Sequence, residues 1–227
     1  MLPALIATLP DWLDCSSRQY LRVAREVPIG SVIPDLLIGM WDQELPFQVP
    51  FTNVARHILA LVQSKETRTI PRDNLEDELF LSPCAAERGL NQLQKAGAVA
   101  VLDSGELKAA VSFDTSAIHL VAVEMKMRRW REALSQANAY LDFVDESYVV
   151  LDGNQVLLMD ELVREFELSP VGLLVQRGTT VEKLVEAVPI EQRPSADRLH
   201  AVQKLAVAGP YCLAYSSQVS KTSNQTR

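Results

Sequence analysis

The spacing of hydrophobic and polar positions changes several times along this chain, and each change predicts an element. Leu21 to Ile29 alternates as a strand, Gly30-Ser31 makes a turn, and Val32 to Ile38 makes a second strand, giving a hairpin. Pro34 and Asp35 lie inside the second arm, and a proline has no N–H to give a ladder. That arm is therefore expected to be irregular, or at a sheet edge, near Pro34. Ahead of the hairpin, Asp11 to Ser17 reads as a short helix with Trp12 and Leu13 as its apolar contacts. Residues 39–50 (GMWDQELPFQVP) read as a linker. The period then becomes helical over Asn53 to Gln63, Pro71 to Leu79 and Ser82 to Ala96. The last of these opens on Ser82-Pro83, an N-cap followed by a first-turn proline, and closes at Gly97. Ala98 to Leu102 and Leu107 to Val111 pair around Asp103-Ser104-Gly105-Glu106.

Beyond residue 111 an alternating α/β pattern resumes. Ile118 to Met127 is a buried strand, Trp130 to Phe143 an amphipathic helix, and Ser147 to Leu151 another apolar strand. Strand, crossover helix and strand of this length predict a right-handed βαβ unit with parallel strands. Trp130, Ala133, Leu134, Ala137, Tyr140 and Leu141 follow helical spacing and are read as core. Val156 to Phe166 is helical, Val171 to Gln176 a strand, and Ser195 to Ala206 a last helix. The polar tail 216–227 is expected to be disordered. The domain reading is therefore a discontinuous core, 1–50 and 112–215, interrupted by a module at 51–111.

Composition narrows the function classes. A hydrophobic share of 48% with 22% charged residues is that of a soluble globular chain. No apolar run approaches the roughly 20 residues that a bilayer span requires. Met1 to Pro10 lacks a basic start and carries Pro3 and Pro10, which makes it a poor signal peptide. Cys15, Cys84 and Cys212 are odd in number and far apart, which argues against a disulfide framework and for a reducing, cytoplasmic setting. His57, His119 and His200 have no neighbour at zinc-ligand spacing. The net charge of -7 counts against broad binding of nucleic acid. One dense basic cluster stands out against it: Lys126, Arg128, Arg129 and Arg131.

The chemistry centres on Glu124-Met125-Lys126. Alternation puts Glu124 and Lys126 on one face of their strand, and Val121, Val123, Met125 and Met127 on the other. A carboxylate and an ammonium at the end of a buried strand need a partner. A divalent cation such as Mg²⁺ is one, since it takes one or two carboxylates, a backbone carbonyl and waters. Asp35, from the hairpin, could supply the second carboxylate. The same sequence contains Glu106-Leu107-Lys108 and Pro10-Asp11, so the bare triplet and the bare Pro-Asp arise without this context. Only Asp35 and Glu124-x-Lys126 occur where a hairpin and a buried strand would present them. A buried structural ion pair is the other reading of the same residues.

The runs REVPIGSVIPDLLIG and IHLVAVEMKMRRWREALSQANAYLDFVDESYVVLD resemble the core of the PD-(D/E)XK nuclease superfamily, over roughly residues 12–38 and 117–176. The resemblance implies an α/β fold, a restriction-endonuclease-like mixed sheet flanked by helices. It also implies Mg²⁺ (or Mn²⁺) held by Asp35, Glu124 and the Met125 carbonyl, with Lys126 as catalytic lysine. Gln136 matches the family's helical glutamine that positions substrate, and Glu26 an acidic position of some members. The stretch AAERGLNQLQKAGAVAVLDSGEL resembles the third helix and wing of a winged helix-turn-helix, which makes 51–111 an inserted α+β subdomain.

DNA is the expected partner. Arg128, Arg129 and Arg131 would meet phosphates, and Arg128 and Arg131 would share one side by their three-residue spacing. Arg88 and Lys95 would serve the inserted module. A solvated helix face is the plain alternative for the first three. Glu76, Asp77 and Glu78 in the preceding helix would repel a phosphate backbone; DNA contact or a homodimer contact is the expectation for the module, with pure scaffolding as the plain alternative. The leading expectation is a metal-dependent nuclease that hydrolyses DNA phosphodiesters. The others are a catalytically silent PD-(D/E)XK-fold module that binds nucleic acid or protein, and a winged-helix transcription regulator.

Overall fold

The computed structural model describes residues 1–13, 20–42, 44–45, 50–154 and 160–208. Six strands make one mixed sheet: β1 (Tyr20–Arg25), β2 (Leu36–Trp41), β6 (His119–Lys126), β7 (Glu146–Asp152), β8 (Gly172–Arg177) and β9 (Thr180–Val185), in that spatial order. β1, β2 and β6 are antiparallel neighbours, β6, β7 and β8 are parallel, and β9 returns antiparallel at the far edge. The parallel centre follows from the crossover helix α6 (Trp130–Tyr140), which joins β6 to β7 and covers both.

The sheet is apolar on both faces because helices cover both. On one side α1 (Leu2–Ala7) and α2 (Leu9–Trp12) pack with Val121, Val123, Tyr148 and Val150. On the other, Leu120, Ala122, Val149 and Leu151 pack with α6, with Leu162 and Phe166 of α7 (Asp160–Glu167), and with Leu199, Val202 and Leu205 of α8 (Ala196–Val207). The buried Arg198 of α8 clips this layer together. Its guanidinium donates to the carbonyls of Phe143, Thr115 and Ile118 and to Asp145 Oδ2, the last at 3.0 Å.

The segment between β2 and β6 folds as α3 (Asn53–Ser64), β3 (Thr69–Pro71), α4 (Asn74–Leu79), α5 (Pro83–Lys95), β4 (Val99–Val101) and β5 (Glu106–Ala109). Its three strands form a separate sheet in the order β3-β5-β4. Thr52 and Ser82 cap α3 and α5 by accepting from Ala55 and Ala85 N–H. Each such cap is worth about 1 kcal/mol. Gly97, at φ 71°, lets the chain leave α5 in the left-handed region. This unit is not detached: α3 packs along α8, and one apolar cluster runs from Ile58, Leu59 and Val62 to Leu199 and Val202.

Several elements differ from the sequence expectation. The hairpin's second strand begins at Leu36, three residues after the irregular Ile33, and runs to Trp41, into the stretch read as linker. Its apolar residues (LLIGMW) are all buried between β1 and β6. The helix expected from Pro71 starts at Asn74, because Thr69–Pro71 is drawn into an edge strand beside β5. β9 carries no apolar alternation to announce it, because Glu182 and Lys183 lie within it. The N-terminal helices lie earlier than the expected 11–17, of which residues 14–17 fall outside the described residues. The same holds for residues 156–159 of the expected 156–166 helix, for Cys15 and Cys212, and for the tail.

Candidate active site

Two antiparallel strands set the geometry. The register of β2 with β6 runs from Met40 opposite His119 to Leu36 opposite Val123. One further step would bring Asp35 opposite Glu124. The ladder stops at that point, however, because Pro34 cannot extend it. β6 continues to Lys126 alongside β7. The Met125 N–H, which a longer β2 would have bonded, is taken instead by Asp35 Oδ2 at 2.7 Å.

Glu124 is 2% exposed and its carboxylate is held at both oxygens. Lys126 Nζ lies 2.8 Å from Oε1, and the Tyr140 hydroxyl donates to Oε2 at 2.6 Å. A hydroxyl on α6 reaches this far because helical side chains lean toward the N-terminus, here toward the end of β6. Its oxygen also lies 3.3 Å from the Ile33 carbonyl, which ties the irregular Ile33–Asp35 segment to the same point. Burial, followed by the bond to Glu124, pushes the Tyr140 phenol above its ordinary range, so it stays a donor. The hydrogen bond to Glu124 raises Lys126, which outweighs the lowering by burial and keeps it a cation.

Gln136 stands one helical turn before Tyr140, on the same face of α6. Its Oε1 is buried with no hydrogen-bond partner among the described residues, an acceptor left open. Glu26 contributes through its backbone: at φ 48° it turns the chain out of β1, and its N–H donates to the Asp35 carbonyl at 3.2 Å. Its side chain is exposed.

The basic cluster divides. α6 begins at Trp130, so Arg128 lies before the helix and shares no helical face with Arg131. Arg129 pairs with Glu132 at 2.8 Å. Arg131 pairs with Glu161 and lies over the Trp130 ring, 4.1 Å from its centroid. Arg128 and Arg129 line an open hollow of about 590 Å³ together with Met125, Lys126 and Met127. Arg88 and Lys95 are exposed on α5, where Arg88 Nε donates to the Cys84 carbonyl. Gln92, on the same helix, is spent on packing: it accepts from Thr52 N–H and Oγ1 and donates to the Pro50 carbonyl.

Among the described residues, no group of three or more His, Cys, Asp or Glu side chains could hold a metal ion. Two carboxylates, Asp35 and Glu124, with the Met125 carbonyl make a smaller, all-oxygen set. Such a set suits a hard cation that keeps several waters, and does not suit zinc. Tyr140 is the residue that sequence reasoning assigned only to the core. The available signal was its four-residue spacing from Gln136, which puts two polar groups on a helix face that packs on the sheet.

No family model matches this chain, and no curated protein matches it. Among solved structures it is similar to a protein of unknown function from Silicibacter pomeroyi, at 22% identity and a TM-score of 0.29. The similarity covers 39% of this chain and 56% of that one, so this chain spans about half the neighbour's length.

Proposed function

We propose that this chain is a metal-dependent nuclease of the PD-(D/E)XK kind that hydrolyses DNA phosphodiester bonds. The observation that carries this reading is the meeting of Asp35, Glu124 and Lys126 where β2 stops short of β6. Asp35, Glu124 and the Met125 carbonyl would hold Mg²⁺ or Mn²⁺. When bound, the ion supplies charge neutralisation at the phosphate and a more acidic water. Lys126, kept protonated by Glu124, would act as a fixed cation beside the phosphate and stabilise charge that develops there. Tyr140 would hold Glu124 in one orientation, and the open acceptor of Gln136 would orient a water or a substrate group.

On this reading the six-stranded sheet is restriction-endonuclease-like. The inserted unit, with its order of helix, strand, two helices and hairpin, is a winged helix-turn-helix. Its α5 presents Arg88 and Lys95 to DNA or to a second copy of the chain. No helix among the described residues is long and apolar enough to cross a membrane.

One observation favours a second reading. Both oxygens of Glu124 already have protein partners, which is the arrangement a silent binding module would keep as a structural pair. Incubation with single- and double-stranded DNA in Mg²⁺ or Mn²⁺ separates the two. The nuclease reading requires cleavage that Lys126→Ala and Asp35→Ala abolish. Undiminished cutting by those folded variants, or no metal binding by calorimetry, would sink it.

A further inference from the structure

The hollow at the end of β6 has two unlike sides. Lys126 and Glu124 project from one face of the strand, while Met125 projects from the other and packs at the margin of the α1–α2 layer. Met127 is 57% exposed, a large apolar side chain left in water beside the candidate site. The hollow is lined by the two methionines together with Lys126, Arg128 and Arg129. Four cations fall within residues 126–131, of which Lys126 pairs with Glu124, Arg129 with Glu132 and Arg131 with Glu161.

An intact duplex presents phosphates and sugar edges to a protein and keeps its ring faces stacked inside. An exposed methionine such as Met127 gains little from such a surface. A single strand offers an exposed ring face next to every phosphate, and proteins take it on apolar or aromatic platforms inside a basic groove. Thioether sulfur makes favourable contacts with aromatic rings, and guanidinium groups stack on them. We propose that this hollow is a nucleobase subsite, and that the substrate is single-stranded nucleic acid whose phosphate meets Lys126 while the flanking base sits on Met125 and Met127. The location of the reacting phosphate rests on the nuclease reading; the subsite itself does not.

The test is binding of a single-stranded oligonucleotide carrying 2-aminopurine, with Ca²⁺ in place of Mg²⁺ to withhold cutting. Base fluorescence and anisotropy are read against the matching duplex, and cleavage of both is measured separately in Mg²⁺. The expected result is a single strand bound at least tenfold more tightly than the duplex. Met127→Glu should weaken single-strand binding roughly tenfold, as loss of one stacked base would, and Met127→Leu should keep it. Val188→Glu alters an equally exposed residue beside Pro170, at the opposite end of the parallel strands, and should change nothing. Equal affinity for duplex and single strand, or a Met127→Glu variant that binds like the parent, overturns the inference. If only duplex is cut in a Lys126-dependent way, the subsite fails and the nuclease reading stands. If single strands are bound through Met127 but never cut, the nuclease reading fails and the subsite stands. If nothing is bound or cut, both fail.

Discussion

The hydroxyl of Tyr140 donates to Glu124 Oε2 at 2.6 Å, so a helix residue that looks like core fixes the orientation of the most buried carboxylate in the sheet. Removing that donor leaves one carboxylate oxygen unsatisfied in a buried place. Tyr140→Phe is expected to lower stability by about 1–3 kcal/mol, a change that urea unfolding would detect. If the nuclease reading holds, the same variant should lose activity while its circular dichroism stays that of the parent.

Lys126 and Glu124 form a pair whose halves are unequally buried, with the lysine side chain 25% and the glutamate side chain 3% exposed. Lys126→Met would strand the carboxylate, and breaking such a pair from one side costs about 3 kcal/mol. Adding Glu124→Gln to Lys126→Met should restore much of that loss, since no buried charge then remains unpaired. Denaturant midpoints of the two single variants and the double variant measure the coupling. Simple additivity would show that the pair is not coupled.

Arg198 is 1% exposed and joins α8 to three carbonyls and to Asp145, whose Oδ2 also accepts from Leu120 N–H at 2.6 Å. Arg198→Met fits the space but leaves those acceptors and the Asp145 charge uncompensated. A loss of about 3–5 kcal/mol is expected, a large share of a typical total of roughly 5–15 kcal/mol. Arg198→Lys should rescue little, because one ammonium cannot reproduce a planar fork of donors. Thermal unfolding of both variants tests this.

Where α3 meets α8, His200 is held down to about 4 from an ordinary 6.5, first by burial, then by Arg56 and Lys204, with Asp197 opposing. The folded chain therefore keeps His200 neutral, whereas the unfolded chain protonates it near 6.5. Between those values the unfolded state binds more protons, so stability is full above 6.5 and falls as pH drops toward 4. His200→Gln should remove that part of the pH dependence. Urea midpoints taken across the interval would show a shallower slope in the variant, and an unchanged slope would assign the acid sensitivity elsewhere.

Local pattern was enough to determine most of the elements. α3, α5, β6, α6 and α8 announce themselves through helical or alternating spacing, and Ser82, Gly97 and Ser195 mark their ends by local backbone chemistry. Pairing of Glu124 with Lys126 on one face was likewise legible, because alternation along a strand needs no partner to define it. Tertiary structure decided what spacing cannot encode: which strand lies beside which, and where a ladder ends. The register that ends at Leu36 and Val123, the Asp35 carboxylate on Met125 N–H, and the reach of Tyr140 across from α6 all join residues far apart in the chain. The same holds for the basic run, where the sequence places Arg128, Arg129 and Arg131 together but the start of α6 and the carboxylates of Glu132 and Glu161 separate them. Charge and periodicity are properties of one segment; the partners that orient or neutralise a side chain belong to the packed whole.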